Sequence, residues 1–223
     1  MARSGTMPEP PRGAVRDGLV AAGLELARAG GPDAVVLREA TRMVGVVPNA
    51  AYRHFAGRDE LLAAVSAGAM SELADRMAAG VARVRGPHGN AAAARRRLRA
   101  IGVAYLEFAR DEPGLFATAF ALPQPHAYGA ADHGAGLGPS PLGQLRAVLD
   151  ELLDAGVLSR PRRDGLEYPI WSAVHGLAVL TGRGRCVMSL ARPAVAWTRS
   201  PWPSSTRAWP DLWPSGPVVK EVP

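Results

Sequence analysis

The sequence predicts an all-α protein: an N-terminal three-helix unit followed by a helical bundle. Three observations carry that expectation. Apolar residues recur at three- and four-residue spacing through most of the chain. Glycine and proline punctuate the periodic stretches. No alternating apolar and polar run of useful length marks a strand.

The elements follow in order. Met1 to Pro11 is rich in proline, glycine and arginine and reads as an arm (1–11) without an apolar face. From Val15, the positions Val15, Leu19, Ala22 and Leu26 fall on one helix face, and Gly30-Gly31-Pro32 ends that helix. "LREATRMV" (37–44) fits a short second helix closed by Gly45. A third starts at Pro48, whose missing N–H has no intrahelical partner in a first turn anyway, and is expected to run through Phe55 to Gly57. Residues 58–84 form one long amphipathic helix with Leu61, Leu62, Val65, Met70, Leu73 and Met77 available for burial. Asp59 and Glu60 suit its positive N-terminal end. After the break "GPHGN" (86–90), helices are expected over 91–110, behind Pro113, over 142–155 and over about 164–180, with a Pro/Gly-rich loop at 123–141.

Composition limits the classes of function. The chain has 223 residues, a net charge of +6 and 48% hydrophobic residues, enough for one or two compact units with a proper core. Its basic residues are nearly all arginine, Lys220 being the sole lysine. The positive balance points weakly to an anionic partner. A single cysteine, Cys186, rules out an internal disulfide and fits a reducing compartment. No apolar run approaches the ~18 residues of a membrane span, and no signal peptide is visible, so a cytoplasmic protein is expected. Charge is uneven: residues 81–100 hold six arginines and no acid, a run that ordinarily reads as a solvated helix face.

The segment "GVVPNAAYRHFAGRDELL" (45–62) carries the chemistry. Two short helices joined at Gly45 and braced by a third make a helix-turn-helix unit, whose second helix enters the DNA major groove. Its first turn holds Ala50 and Ala51, small enough for close approach. Asn49 offers a donor and an acceptor to a base edge or phosphate. Tyr52, Arg53 and His54 carry donors for phosphate oxygens, and Arg58 adds a cation at the groove edge. Phe55 reads as core.

"LREATRMVGVVPNAAYRHFAGRDELLAAV" resembles the DNA-binding domain of TetR-family transcriptional regulators, over residues 12–66. The resemblance implies an all-helical homodimer with an N-terminal reader (12–66), a helical ligand-binding and dimerisation domain (67–182), and no cofactor or metal. It places Arg38 at a base-contacting position, Tyr52, His54 and Arg58 at phosphate-contacting ones, and Asn49 and Ala50 where sequence specificity is set. The DNA-facing set is therefore Arg38, Thr41, Pro48, Asn49, Ala50, Tyr52, Arg53, His54 and Arg58. Three positions depart from the family pattern: Val36 and Val47 replace Ser or Thr helix caps, and Thr41 replaces an alanine. A lost hydroxyl cap costs ~1 kcal/mol, but backbone N–H groups at the helix start can still bind a phosphate.

Downstream, "EFARDEPGLFATAF" and "YPIWSAVHGLAVL" resemble the C-terminal domain of a subgroup marked by Trp171, His175 and Gly176. Trp171 and His175 lie four apart and share a helix face. In one reading they line a ligand pocket with Tyr105, Phe108, Phe116 and Phe120. In the other they belong to a core helix in which His175 bonds a backbone carbonyl. In that second reading Gly176 allows close helix packing, and for Gly176 it is the favoured one. Residues 183–223, with four of the five tryptophans and seven prolines in 191–223, offer no dimer-forming helix after Leu180. They read either as an irregular tail or as the product of a shifted reading frame.

The function expected is that of a repressor: a dimer bound to a palindromic operator on double-stranded DNA and released by a small apolar effector, with no membrane association. No GxSxG, no GxGxxG after a strand and no paired His/Cys spacing marks an enzyme, and His126 and His133 have no metal-type partners. The rival is a non-specific nucleic-acid-binding or interaction protein using Arg95–Arg97 and the basic tail.

Overall fold

The computed structural model describes residues 13–122 and 140–182, and the elements below belong to those residues. The arm at 1–11, most of the Pro/Gly-rich loop with His126 and His133, Cys186 and the tail from 183, with its two readings, lie outside them. In chain order the helices are α1 (Ala14–Gly30), α2 (Leu37–Val44), α3 (Pro48–Tyr52), α4 (Arg58–Ala82), α5 (Ala91–Asp111), α6 (Pro113–Ala119), α7 (Pro141–Asp154), α8 (Arg160–Arg163) and α9 (Glu167–Gly182). A 3₁₀ turn at Pro32–Ala34 links α1 to α2. Among the described residues there is no strand, and no helix is long and apolar enough to cross a membrane.

Local chemistry sets most of the boundaries. Asn90 and Ser140 accept the Ala93 and Gly143 backbone N–H groups at 3.0 and 3.1 Å, capping α5 and α7. Prolines open α3, α6 and α7. Gly45 takes the left-handed conformation (φ 74°, ψ 26°) that a side chain would resist. There its N–H bonds the Arg42 carbonyl at 3.3 Å while the Val46 N–H bonds that of Thr41 at 3.2 Å. This paired arrangement is a Schellman stop, and it sets the angle between α2 and α3.

Two boundaries differ from the sequence expectation. The third helix ends at Tyr52, not beyond Phe55, because the Ala56 N–H is taken by the Glu60 carboxylate at 2.6 Å instead of continuing the helix. The last helix starts at Glu167, since residues 160–163 form the separate short α8 behind Ser159.

One core runs through the molecule along α4. Leu19, Phe55 and Val65 fill its N-terminal part, and Met77, Phe108 and Leu115 continue it among α4, α5 and α6. The boundary expected at 66/67 falls inside α4, which is unbroken. A smaller cluster of Leu142, Leu145, Leu149 and Leu152 packs α7 against Ala94 of α5. The arginine run at 95–97 is not a uniformly solvated face. Arg97 is buried, pairs with buried Glu151 of α7 and donates to the Gly86 carbonyl. A buried pair of this kind costs about 3–5 kcal/mol to break from one side, so Arg97 is a latch between α5 and α7.

Candidate functional site

The reader is assembled from α2, α3 and the turn between them. Pro48 opens α3, and Val47 precedes it in extended geometry (φ −71°, ψ 146°) with no side-chain cap. Pro48 has no N–H and the Ala50 N–H bonds the Val47 carbonyl at 2.9 Å, so in the first turn of α3 the Asn49 N–H is the donor left without a cap. Ala51 and Phe55 are buried and fix α3 to the body, with the Arg16 guanidinium 5.4 Å from the Phe55 ring centre. That anchoring turns Pro48, Asn49, Tyr52 and Arg53 outward, Tyr52 being 60% exposed. Ala50 and His54 are half-buried beside them, and Arg38 is exposed on α2.

Two residues of the expected DNA-facing set are placed otherwise. Thr41 is buried, and its hydroxyl donates to the Arg38 carbonyl at 2.6 Å, so it has no face for DNA. The Arg58 guanidinium donates to the Val35 and Pro32 carbonyls at 3.0 and 2.8 Å, clasping the α1–α2 connection to α4. Its primary partners are thus backbone carbonyls rather than phosphates. The sequence reading also missed something. Val36, Met43 and Val47 are exposed large hydrophobics lying with Tyr52 on the reader. Apolar side chains at a DNA surface meet thymine methyl groups. Their signal was negative: each falls off the buried helix periodicity.

The second assembly is aromatic. Tyr105 of α5, Phe116 of α6, Phe120 just after it, and Trp171 and His175 of α9 converge. Tyr105 meets Trp171 at 5.2 Å and Phe116 at 5.6 Å between ring centres, both edge-on, and Phe120 meets His175 at 4.6 Å. Such geometry aligns positive ring edges with negative faces. The Tyr105 hydroxyl and His175 Nδ1 are hydrogen-bonded at 2.7 Å. Burial pushes the His175 imidazole below its ordinary range and so favours its neutral form. The partner of His175 is therefore a hydroxyl, not the backbone carbonyl of the core-helix reading. The Trp171 Nε1 is buried and has no hydrogen-bond partner, an unused donor beside the cluster.

Phe108 does not join this group. It is fully buried beneath Arg76, whose guanidinium sits 5.3 Å from its ring centre, so it serves the core. Nor is Gly176 a close-packing residue, because a Cβ there would meet nothing within 4 Å. Among the described residues no group of His, Cys, Asp and Glu is placed to hold a metal ion.

The two assemblies are joined through α6. Its Gly114 lies against the end of α1 so closely that a Cβ would collide with the Ala27 and Arg28 carbonyl oxygens. Around this junction Arg28 pairs with Glu72 of α4 at 2.6 Å and reaches Glu112 at 3.4 Å. Arg76 pairs with Glu112 from the other side at 3.3 Å.

Comparison with known proteins places both halves. The model of bacterial regulatory proteins of the tetR family matches residues 19–65. The model of the tetracyclin repressor-like C-terminal domain matches residues 98–200. Among solved structures, a protein of unknown function from Rhodococcus sp. RHA1 is similar, with a TM-score of 0.56 and 24% identity over 79% of this chain and 88% of that one. At that identity the likeness speaks for the fold. No curated protein matches the chain.

Proposed function

We propose that this chain, which belongs to the TetR family of DNA-binding transcriptional regulators, is a repressor released from a palindromic operator by a small apolar ligand. In this reading Asn49 and Ala50 read bases, and Tyr52, Arg53 and His54 hold phosphates, with the Asn49 N–H at the start of α3 as a further donor. Arg38 and Pro48 border the same surface. The ligand site is the cluster of Tyr105, Phe116, Phe120, Trp171 and His175. Its ring walls favour an apolar, planar molecule, and the free Trp171 N–H favours one bearing a hydrogen-bond acceptor.

The observation that carries the reading is α6. It supplies Phe116 to the cluster and presses Gly114 onto the end of α1. A ligand that displaces Phe116 moves a helix that has no slack against the reader. Release then requires only that ligand and DNA prefer different positions of α6; a tenfold effect corresponds to about 1.4 kcal/mol of coupling.

A homodimer fits the surface of α9. That helix is apolar nearly all round, yet among its residues only Glu167 and Ala178 are buried, and Tyr168 and Leu180 stand exposed. A helix of this composition is normally covered, here by the same helix of a second copy.

Gel retardation on the DNA upstream of the chain's own gene tests the reading. The wild type is expected to retain the fragment and Tyr52→Ala and His54→Ala to lose retention while melting as the wild type does. Retention by both variants would remove these residues from the interface.

A further inference from the structure

Several arginines of the helical body are held by carboxylates, as Arg28 is by Glu72 and Arg146 by Glu167. At the end formed by the turn from α4 into α5 they are not. Arg83, Arg85, Arg95, Arg96 and Arg99 are exposed there, and none has an ion-pair partner among the described residues. Arg96 donates only to the Arg85 carbonyl, at 3.0 Å, which draws the two arms of the turn together. Glu151, the acid that reaches this end from α7, pairs with buried Arg97 and lies 3.7 Å from His88 of the turn. Exposed Arg160 and Arg162 of α8 are matched in number by exposed Asp154 and Asp164, so the excess charge rests on the α4–α5 turn and the start of α5.

The fold carries this charge at a cost to itself. Arg95 and Arg99 are a like-charge pair one helical turn apart, which weakens a helix. The first turn of α5 contains no acid to offset the positive end of its dipole. This pole is also remote from the reader. The two stand at opposite ends of α4, whose 25 residues span about 37 Å at 1.5 Å per residue.

We propose that this pole is a second DNA surface, which grips the phosphate backbone of a duplex other than the one in the reader, so that the regulator holds two DNA segments together. Guanidinium groups suit phosphate oxygens through their planar fork of donors. A lipid surface fits less well, because interfacial membrane binding needs apolar side chains to insert. None of the exposed large hydrophobics of the described residues lies in the α4–α5 turn or on α8.

The test uses the full chain on an immobilised duplex carrying the upstream region, challenged with a fluorescent duplex of random sequence. Wild-type protein should capture the second duplex. The triple variant Arg95→Ala, Arg96→Ala, Arg99→Ala keeps Arg97 and places good helix formers at exposed sites. It should stay on the first duplex and lose the second. The conservative triple variant to lysine should recover capture. Titrated directly with the random duplex, the alanine variant should lower the slope of log K against log salt by about 0.9 for each phosphate that it no longer neutralises. Equal capture and equal slope for wild type and alanine variant would overturn the proposal, as would a loss confined to phosphatidylglycerol vesicles. If no protein stays on the first duplex, the reader claim fails by itself, and the direct titration still decides this one.

Discussion

In the reader, α3 buries Ala51 and sends Asn49, Tyr52 and Arg53 outward, without side-chain partners among the described residues; in the aromatic cluster, Tyr105 and Phe116 turn inward and each ring meets another. The first surface is complete only when something is laid on it. The second already satisfies itself, with the exception of the Trp171 N–H. The difference teaches where binding and stability separate. The outward side chains of α3, Asn49, Tyr52 and Arg53, are exposed, so removing them should change recognition alone. Side chains of the cluster pack the fold and line the proposed ligand site, so their variants should change both.

The largest expected effect breaks the core next to the cluster. Phe108→Ala removes a fully buried ring and should cost about 3–5 kcal/mol, read as a lower midpoint in urea unfolding. Tyr52→Ala in the same experiment should stay within about 0.5 kcal/mol of the wild type. Equal losses in the two variants would end the contrast between the regions.

Gly114→Ala comes next. A Cβ there collides with backbone oxygens that cannot rotate away, so α6 must lift from α1 at about 1–3 kcal/mol. The same melting curves check it. If the variant is as stable as the wild type, α6 has the slack that the coupling argument denies it.

Tyr105→Phe removes the hydroxyl bonded to His175 Nδ1 and should cost about 1 kcal/mol. His175 also gives the cluster a pH signature. Burial holds its folded pKa below the ordinary range, so the unfolded chain binds more protons near its ordinary value of about 6.5. Stability contributed by the neutral ring is therefore full above that value and falls as pH drops through the folded one. Melting temperature against pH should lose that part of its acid limb in His175→Asn. An unchanged limb would mean that the imidazole is not desolvated in the fold.

The smallest effect belongs to the reader. Val47→Ser restores a hydroxyl at the start of α3 and should add about 0.5–1 kcal/mol, seen as a modest rise in melting temperature. A neutral result would indicate that the first turn of α3 gains nothing from a hydroxyl cap.

What was legible in the sequence follows the range of the forces involved. The stop at Gly45, the start at Pro48 and the long α4 are fixed within a few residues of chain, and each was readable. Misplaced residues were decided by distant partners. Arg58 is claimed by carbonyls 23 and 26 residues away, and Arg97 by a carboxylate 54 residues away. Thr41 is buried where α2 packs against the rest of the reader. Phe108 shares α5 with Tyr105, but the packing of Arg76 above its ring keeps it from the cluster. Tyr105 and His175 meet across 70 residues, a juxtaposition that helix periodicity alone could not supply and the family resemblance did.

Nuclease protection of the DNA upstream of the chain's own gene, with wild type and Tyr52→Ala side by side, tests the central claim most directly. The account predicts two protected half-sites about 34 Å apart, one helical turn, and their loss in the variant at unchanged melting temperature. Protection that survives in Tyr52→Ala, or a uniform coating without half-sites, would contradict it.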